Sequence, residues 1–530
     1  MNAHSHRGRR AALATVTAGL LGAASLVAAG SAGASSNAGS RIAAMPIRPT
    51  QAAGGGLSAA ANAVLHGPRG YLVPDARALQ LAKAAAASSA PSTATSGPAS
   101  GSLAPTTVRS WQGVDDPSAA PSDSTSAIGP TRFIELTNTK YGIYNRTSNT
   151  PLSSGSLAAF TGVAYTGDNI FDPQVLWDPG TNRFYYAADD VASGTQHFLA
   201  FGFSKTSGPN TAADWCKYNF AYGAEFPDYP KLGDTKDFML IGVNVFSTSN
   251  SYLRSDVAWI TKPAAGSGCP DPSTFGAGTK AVAAFTPVPA NQTDTSSTGW
   301  VVGRKLALPA TSLPLFKVTK TSTGTAAIAS AGAVTVPSYT VPADATQPGT
   351  SSKLDTSDTR PTQAVSAIDP VRGTVALWTQ HTAKGGAGAE VRWYEINPAT
   401  HTLFQSGSVT SSTLFSFNGA ISPDRKVAGT TQLFGSNMIL GYNTSSSGQR
   451  ADFRLVSKIG SGAQSAPALI AISSGSCTGV SVCRWGDYAA ATPDPAAPST
   501  GSVGQVWLTS QLTHGGTQFD WATWNIGAKP

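Results

Sequence analysis

Glutamate, histidine and cysteine are all scarce in this 530-residue chain, and each shortage removes a class of chemistry. Beyond residue 34 the only glutamates are Glu135, Glu225, Glu390 and Glu395. The four histidines of the later chain, His197, His381, His401 and His514, show no metal-ligand spacing. No G-x-S-x-G elbow, P-loop, H-E-x-x-H or EF-hand loop occurs, so serine hydrolase, nucleotide, metalloprotease and that kind of calcium-site readings lose their main support. The four cysteines, Cys216, Cys269, Cys477 and Cys483, include no C-x-x-C pair and no neighbouring histidine, which argues against zinc. An even count fits two disulfides in an oxidising compartment, and the spacing favours Cys216 with Cys269 and Cys477 with Cys483.

Charge is also sparse, at 12% of residues. The formal net charge of +7 falls to +4 once Arg7, Arg9 and Arg10 are removed with the first 34 residues. No basic run is interleaved with aromatics, so a nucleic-acid partner is not expected. A long apolar run occurs at Ala11–Ala29, behind those arginines and ahead of Ala32-Gly33-Ala34. This pattern reads as a signal peptide over 1–34, with a membrane anchor as the competing reading. Arg9-Arg10 leaves the export route open between general secretory and twin-arginine. No membrane span is expected after cleavage, and the mature protein is expected to be secreted.

Residues 35–105 are rich in Ala, Ser, Gly, Thr and Pro and poor in aromatics, the composition of a disordered leader or linker. Within it, Pro74-Asp75 followed by ARALQLAKAAAA predicts a local helix, read as a surface or transient helix ahead of a pro-peptide element.

From Thr106 onward short apolar runs alternate with Gly, Pro, Asn, Asp and Ser clusters, which is strand punctuation. FDPQVLWDPGTNRFYY at 171–186, TQAVSAIDPVRGTVALW at 362–378 and DYAAATPDPAAPSTGSVGQVW at 487–507 repeat one unit: strand, Asp-Pro turn, strand. With Asp123, Asp178, Asp234, Asp294, Asp369, Asp424 and Asp494 as turn markers, units recur about every 62 residues. The sequence predicts an all-β, seven-bladed β-propeller over 106–530, with six blades as the alternative and tandem sandwiches as the rival. The last unit supplies three strands, so TTVRSWQGV near residue 106 is expected to close it from the N-terminal side, removing open sheet edges.

FDPQVLWDPGTNRFYY, FPDYPKLGDTKDFMLIGVNVF and RWGDYAAATPDP resemble segments of secreted bacterial sialidase-like, BNR-repeat-like β-propellers. The resemblance covers roughly Gln112 to the C-terminus and implies a fold. It does not imply an activity, because propellers host hydrolases, lyases, lectins and scaffolds. The S-x-D-x-G-x-T-W box of true sialidases is missing, with DTSSTGW at 294–300 only a distorted echo.

In a propeller, ligands bind where the innermost strands open on the central channel. The residues at those positions are Asp172, Asp228, Arg360 and Asp487, with Tyr229, Lys231, Arg484 and Trp485 beside them and Gln174 and Tyr488 as neighbours. Carboxylates gathered there need a cation or arginines to offset their repulsion, which points to Ca²⁺ or to sugar recognition. The bland alternative is that Asp at strand starts makes Asx turns. The expectation is a monomeric, non-catalytic propeller that binds an extracellular glycan or protein ligand at the channel mouth. The alternative is a glycoside hydrolase or polysaccharide lyase that uses those carboxylates.

Overall fold

The computed structural model describes residues 41–44, 72–89, 91–92, 104–163, 169–193, 196–294, 296–424, 427–428, 431–432, 435–496 and 503–530. The expected signal peptide lies outside them.

Seven four-stranded antiparallel units follow one another along the chain. Their innermost strands are Thr125–Ile128, Asn169–Asp178, Phe226–Asp234, Phe285–Pro289, Pro361–Asp369, Phe415–Pro423 and Ala490–Pro493. The second unit has the four strands read from sequence, Asn169–Asp178, Arg183–Ser193, Gln196–Ser204 and Trp215–Gly223. The seventh is built from Ala490–Pro493, Val506–Thr513 and Trp521–Lys529, and its outer strand is Thr106–Asp115, which pairs antiparallel with Trp521–Lys529. The predicted N-terminal closure and the seven-bladed propeller are therefore both present.

An aromatic seam supports the closure. Trp111 on the closing strand meets Phe133 and Tyr144 of the first blade and Trp507 of the seventh, with ring centroids 5.3, 5.6 and 6.1 Å away. Each edge-on pair adds roughly 0.5–1.5 kcal/mol beyond its buried area. Glu135, fully buried, ties the same two blades by accepting from the Tyr144 hydroxyl at 3.0 Å and the Asn525 amide at 2.9 Å. Elsewhere a small residue lets an inner strand approach the neighbouring blade: a Cβ on Gly242, in the second strand of the third blade, would lie 1.9 Å from the Pro287 carbonyl oxygen of the fourth.

The Asp-Pro turns are structural. Asp178, Asp369 and Asp494 accept from the amides of Gly180, Val371 and Ala496 at 2.8, 2.7 and 2.8 Å, the Asx geometry that reverses the chain between first and second strands. Two of the seven markers behave differently. Asp123 precedes its inner strand instead of ending it, and Asp294 follows Asn291–Gln292, a short strand added in parallel to the fifth blade.

Both expected disulfides are formed. Cys216–Cys269 links the outer strand of the second blade to the third, and Cys477–Cys483 closes a short loop before the seventh. No helix among the described residues is long and apolar enough to cross a membrane.

Two pieces of the leader pack on the propeller. Ile42–Ala44 adds an edge strand to the second blade, pairing with Trp215–Gly223. The predicted helix runs Ala76–Ala87, capped by Asp75, whose carboxylate accepts from the Ala78 amide at 2.8 Å.

Candidate functional site

The inner strands share a distortion near their N-terminal ends. In the second, third, fourth, fifth and sixth blades the register slips at one place, as at Phe171/Gln174, Asp228/Lys231 and Phe417/Ala420. Four of these bulges hold a non-glycine residue in left-handed backbone: Asp172 (φ 53°), Tyr229 (63°), Thr286 (52°) and Asn418 (50°). Asp123 (43°), just before the first inner strand, does the same. Such conformations cost about 1–3 kcal/mol each and persist where surrounding contacts over-determine them. Bulges re-aim side chains, and here they gather polar groups at one end of the ring.

Hydrogen bonds join those groups across blades. Asn138 donates to Asp123 Oδ2 at 2.6 Å, and its oxygen accepts from the Asp172 amide at 2.7 Å. Asp123 Oδ1 accepts from the Asp487 amide at 2.6 Å. The Tyr488 hydroxyl donates to Asp172 Oδ2 at 2.8 Å, and the Tyr229 hydroxyl to the Asp487 carbonyl at 2.8 Å. Tyr229 and Tyr488 stack at 4.8 Å, and the Lys231 ammonium sits 3.9 and 3.5 Å from their centroids. Arg484 donates to Asp487 at 3.0 Å. Arg360 lies 4.4 Å from the Tyr229 centroid and is held by Asp358 at 2.7 and 3.0 Å, while Arg304 reaches Asp358 from the fourth blade at 3.1 Å.

Asp172, Asp228, Tyr229, Lys231, Arg360 and Asp487 thus share one buried end of the ring, with partly buried Arg484 beside them. Trp485 is also buried but belongs to another set: it packs with Phe417 beside the Cys477–Cys483 loop and donates to Asn443 at 3.1 Å. Its indole is spent on the wall between the sixth and seventh blades, where the disulfide-closed loop pins it, so a role as a platform at the mouth has no geometric support. Gln174 turns away to the carbonyl of its own Pro173 at 2.9 Å.

Several members of the site were not among the sequence candidates. Asp189 lies on the second strand of the second blade, opposite Phe171, and is fully buried. Asp123, Asp358 and Arg304 complete the set. The legible signal was Asp189-Asp190 interrupting the apolar run RFYYAADD, since strand alternation sends adjacent acids to opposite faces.

Burial dominates the electrostatics. It pushes the carboxyls of Asp123, Asp172 and Asp228 up to about 7 and that of Asp487 to about 8; neighbouring carboxylates add to the rise and Arg484 opposes it. Asp189 is raised well above the usual range by burial and then by Asp172 and Asp228. Burial likewise holds Lys231 well below its usual range, against the attraction of Asp172 and Asp487. Asp358 goes the other way: Arg360 and Arg304 overcome its burial and keep it ionised far below the ordinary carboxylate range.

Asp172, Asp189 and Asp228 each offer an oxygen within 4.8 Å of the others. Among the described residues, no hydrogen bond closes either carboxylate oxygen of Asp189 or the Oδ2 of Asp228. Oxygen-only donors of this kind suit a hard cation such as Ca²⁺ and not a soft metal.

None of the four later glutamates joins this end. Glu135 is in the seam between first and seventh blades, Glu225 pairs with Arg254, Glu390 with Arg392, and Glu395 accepts from Gln405. A cleft of about 420 Å³ lies elsewhere, lined by Trp393, Tyr442, Arg454 and Gln464 of the fifth and sixth blades.

Fold and site define a seven-bladed β-propeller with a buried, carboxylate-rich channel end. No protein-family model matches the sequence, and no curated protein matches it. Similar solved structures include an apocarotenoid oxygenase mutant from Synechocystis, at 10% identity over 68% of this chain and 80% of that one, with a TM-score of 0.37. An exo-β-1,3-galactanase from Phanerochaete chrysosporium is 9% identical over 69% of this chain and 93% of that one, with a TM-score of 0.28. A second exo-β-1,3-galactanase, from Clostridium thermocellum, is 9% identical over 66% and 90%, also at 0.28. Likeness this distant carries nothing about chemistry, and the sialidase-like resemblance holds only at the level of a propeller.

Proposed function

We propose that this is a secreted propeller that binds an extracellular glycan at the carboxylate-rich channel end, with Asp172, Asp189 and Asp228 holding a Ca²⁺ that takes part in the contact. The observation that carries the reading is the convergence of those three buried carboxylates, with both oxygens of Asp189 and one of Asp228 left without a hydrogen bond among the described residues. Buried anions are expensive unless paired or metal-bound. Ca²⁺ takes six to eight oxygens, so three carboxylates leave positions for sugar hydroxyls. Arg360 and Arg484 stand beside them as donors, and two disulfides suit an oxidising compartment. The test is a glycan panel probed with chelator-treated protein, with and without added Ca²⁺. Ca²⁺-dependent retention without products supports the reading; retention indifferent to Ca²⁺, together with unchanged melting, removes the cation.

A second reading, glycan cleavage, has its own observation: Asp228 and Asp487 keep protons near neutral pH, as a general acid must. Products in the same panel, abolished by Asp228→Asn or Asp487→Asn, would establish it. A sialidase-type mechanism is disfavoured, because its Tyr nucleophile needs a glutamate and the four later glutamates lie elsewhere.

A further inference from the structure

We propose that leader residues 72–89 and 91–92 form a cap bound in cis across the carboxylate-rich channel end, and that ligand access requires its displacement.

The contacts begin at Leu72. Its carbonyl accepts from Arg360 Nη2 at 3.4 Å, and its main chain lies against Asp228, where it opposes the effect of burial on that carboxyl. The main chain of one leader residue is therefore set against two site residues from different parts of the ring. The Leu72 side chain packs on an apolar patch formed by Phe171 and Val191 of the second blade and Phe226 and Phe246 of the third. A polar pair that reads a backbone beside a pocket that takes a side chain is how an extended peptide is recognised.

The helix Ala76–Ala87 then anchors the segment on another part of the rim. Leu79, Ala82, Lys83 and Ala86 are its partly or fully buried positions, one stripe at helical spacing, while Leu81 is 63% exposed. Lys83 on that stripe pairs with Asp344 and, at 2.9 Å, with Asp355, both in the connection between the fourth and fifth blades. Past the helix, Ser89 accepts from Lys384 at 2.7 Å, and Ser92 exchanges hydrogen bonds with Gly386 at 3.0 and 2.7 Å. The segment runs from the second and third blades, past Asp228 and Arg360, to the fifth. Bound this way, it occupies donors and acceptors that an incoming ligand would use, and its effective concentration is that of a tethered competitor.

The full-length chain carrying site-specific protease sequences within residues 50–60 and 96–101 supplies the test, because the edge strand Ile42–Ala44 precedes the first cut and the closing strand starts only at Thr106. Hydrogen exchange on the uncut chain should show protected amides at Leu72 and in 79–87, with protection falling at least tenfold in Lys83→Glu and in Leu72→Asp. After cutting, the leader fragment should co-elute with the propeller in the parent and separate from it in Lys83→Glu. Carbodiimide footprinting should then show Asp228 labelled several-fold faster once the fragment has gone. Unchanged exchange in both variants, or release without a change at Asp228, overturns the cap. Neither readout uses a glycan or Ca²⁺, so a failed glycan panel leaves the cap standing, and a failed footprint leaves the glycan reading standing.

Discussion

The hydroxyl of Tyr488 donates to Asp172 Oδ2 at 2.8 Å, a bond between the segment entering the seventh blade and the inner strand of the second. It spans the channel end and gives a buried carboxylate a neutral donor. Tyr488→Phe removes the donor and keeps the ring that stacks on Tyr229. Stability should fall by about 1–3 kcal/mol, the cost of orphaning a buried acceptor. Urea denaturation measures it, and a change within 0.5 kcal/mol would show that Asp172 has another partner.

Stability should fall as pH rises from about 4 to about 7. Unfolded aspartates titrate near 3.9, whereas Asp123, Asp172 and Asp228 hold their protons to about 7. Between those limits the native state binds more protons than the unfolded state, so each pH unit gained costs native stability, a loss complete above the native value. Lys231, shifted downward by burial, acts in the opposite sense at the alkaline end. Melting temperature at pH 5 should exceed that at pH 7, and Asp228→Asn should flatten the difference. A melting temperature that climbs over this range contradicts the raised proton affinities.

Ca²⁺ and protons compete for the same oxygens in the proposed site. Added Ca²⁺ should raise the melting temperature more at pH 7 than at pH 5. Asp189→Asn should abolish the increment at both. Equal increments in Asp189→Asn and the parent would place the ion elsewhere.

Trp111→Ala should destabilise the ring by about 3–5 kcal/mol, as a large aromatic truncated in a packed seam. Val108, 46% exposed on the same closing strand, is the control, and Val108→Ala should be near neutral. Equal effects would mean that the closing strand contributes through its backbone alone.

Loss of Cys216–Cys269 should cost more than loss of Cys477–Cys483. Their sequence separations are 53 and 6 residues, and loop-closure entropy gives roughly 4 and 2 kcal/mol. Paired Cys→Ser variants in urea would show the order, and a reversal would point to Trp485 depending on the short loop for its position.

Blade count and closure were legible because they rest on local patterns. The alternation in FDPQVLWD and the Asx turn at Asp178 are set by neighbouring residues, and TTVRSWQGV was the strand left over when the seventh unit was counted. Asp294 misled because the fourth blade's inner strand, Phe285–Pro289, ends without an Asp-Pro turn, and an added parallel strand supplies an aspartate nearby. Asp172, Asp228, Arg360 and Asp487 could be named because inner-strand starts must converge. Asp189 could not be placed that way, since only the pairing of its strand with the bulged Phe171 region swings it to the same end. The docking of Leu72 was hidden for a similar reason: nothing in an Ala- and Ser-rich leader announces which distant Arg and Asp will read its backbone.

The pairing of Thr106–Asp115 with Trp521–Lys529 sets an order of events in the life of the chain. That hydrogen-bonded ladder joins residues more than 400 positions apart, so it cannot form until Trp521–Lys529 has been made. Until then the ladder that holds Trp111 between Phe133 and Trp507 is missing. A nascent or truncated chain would therefore present an open sheet edge and a wet aromatic patch, the pair of features that chaperones and proteases act on.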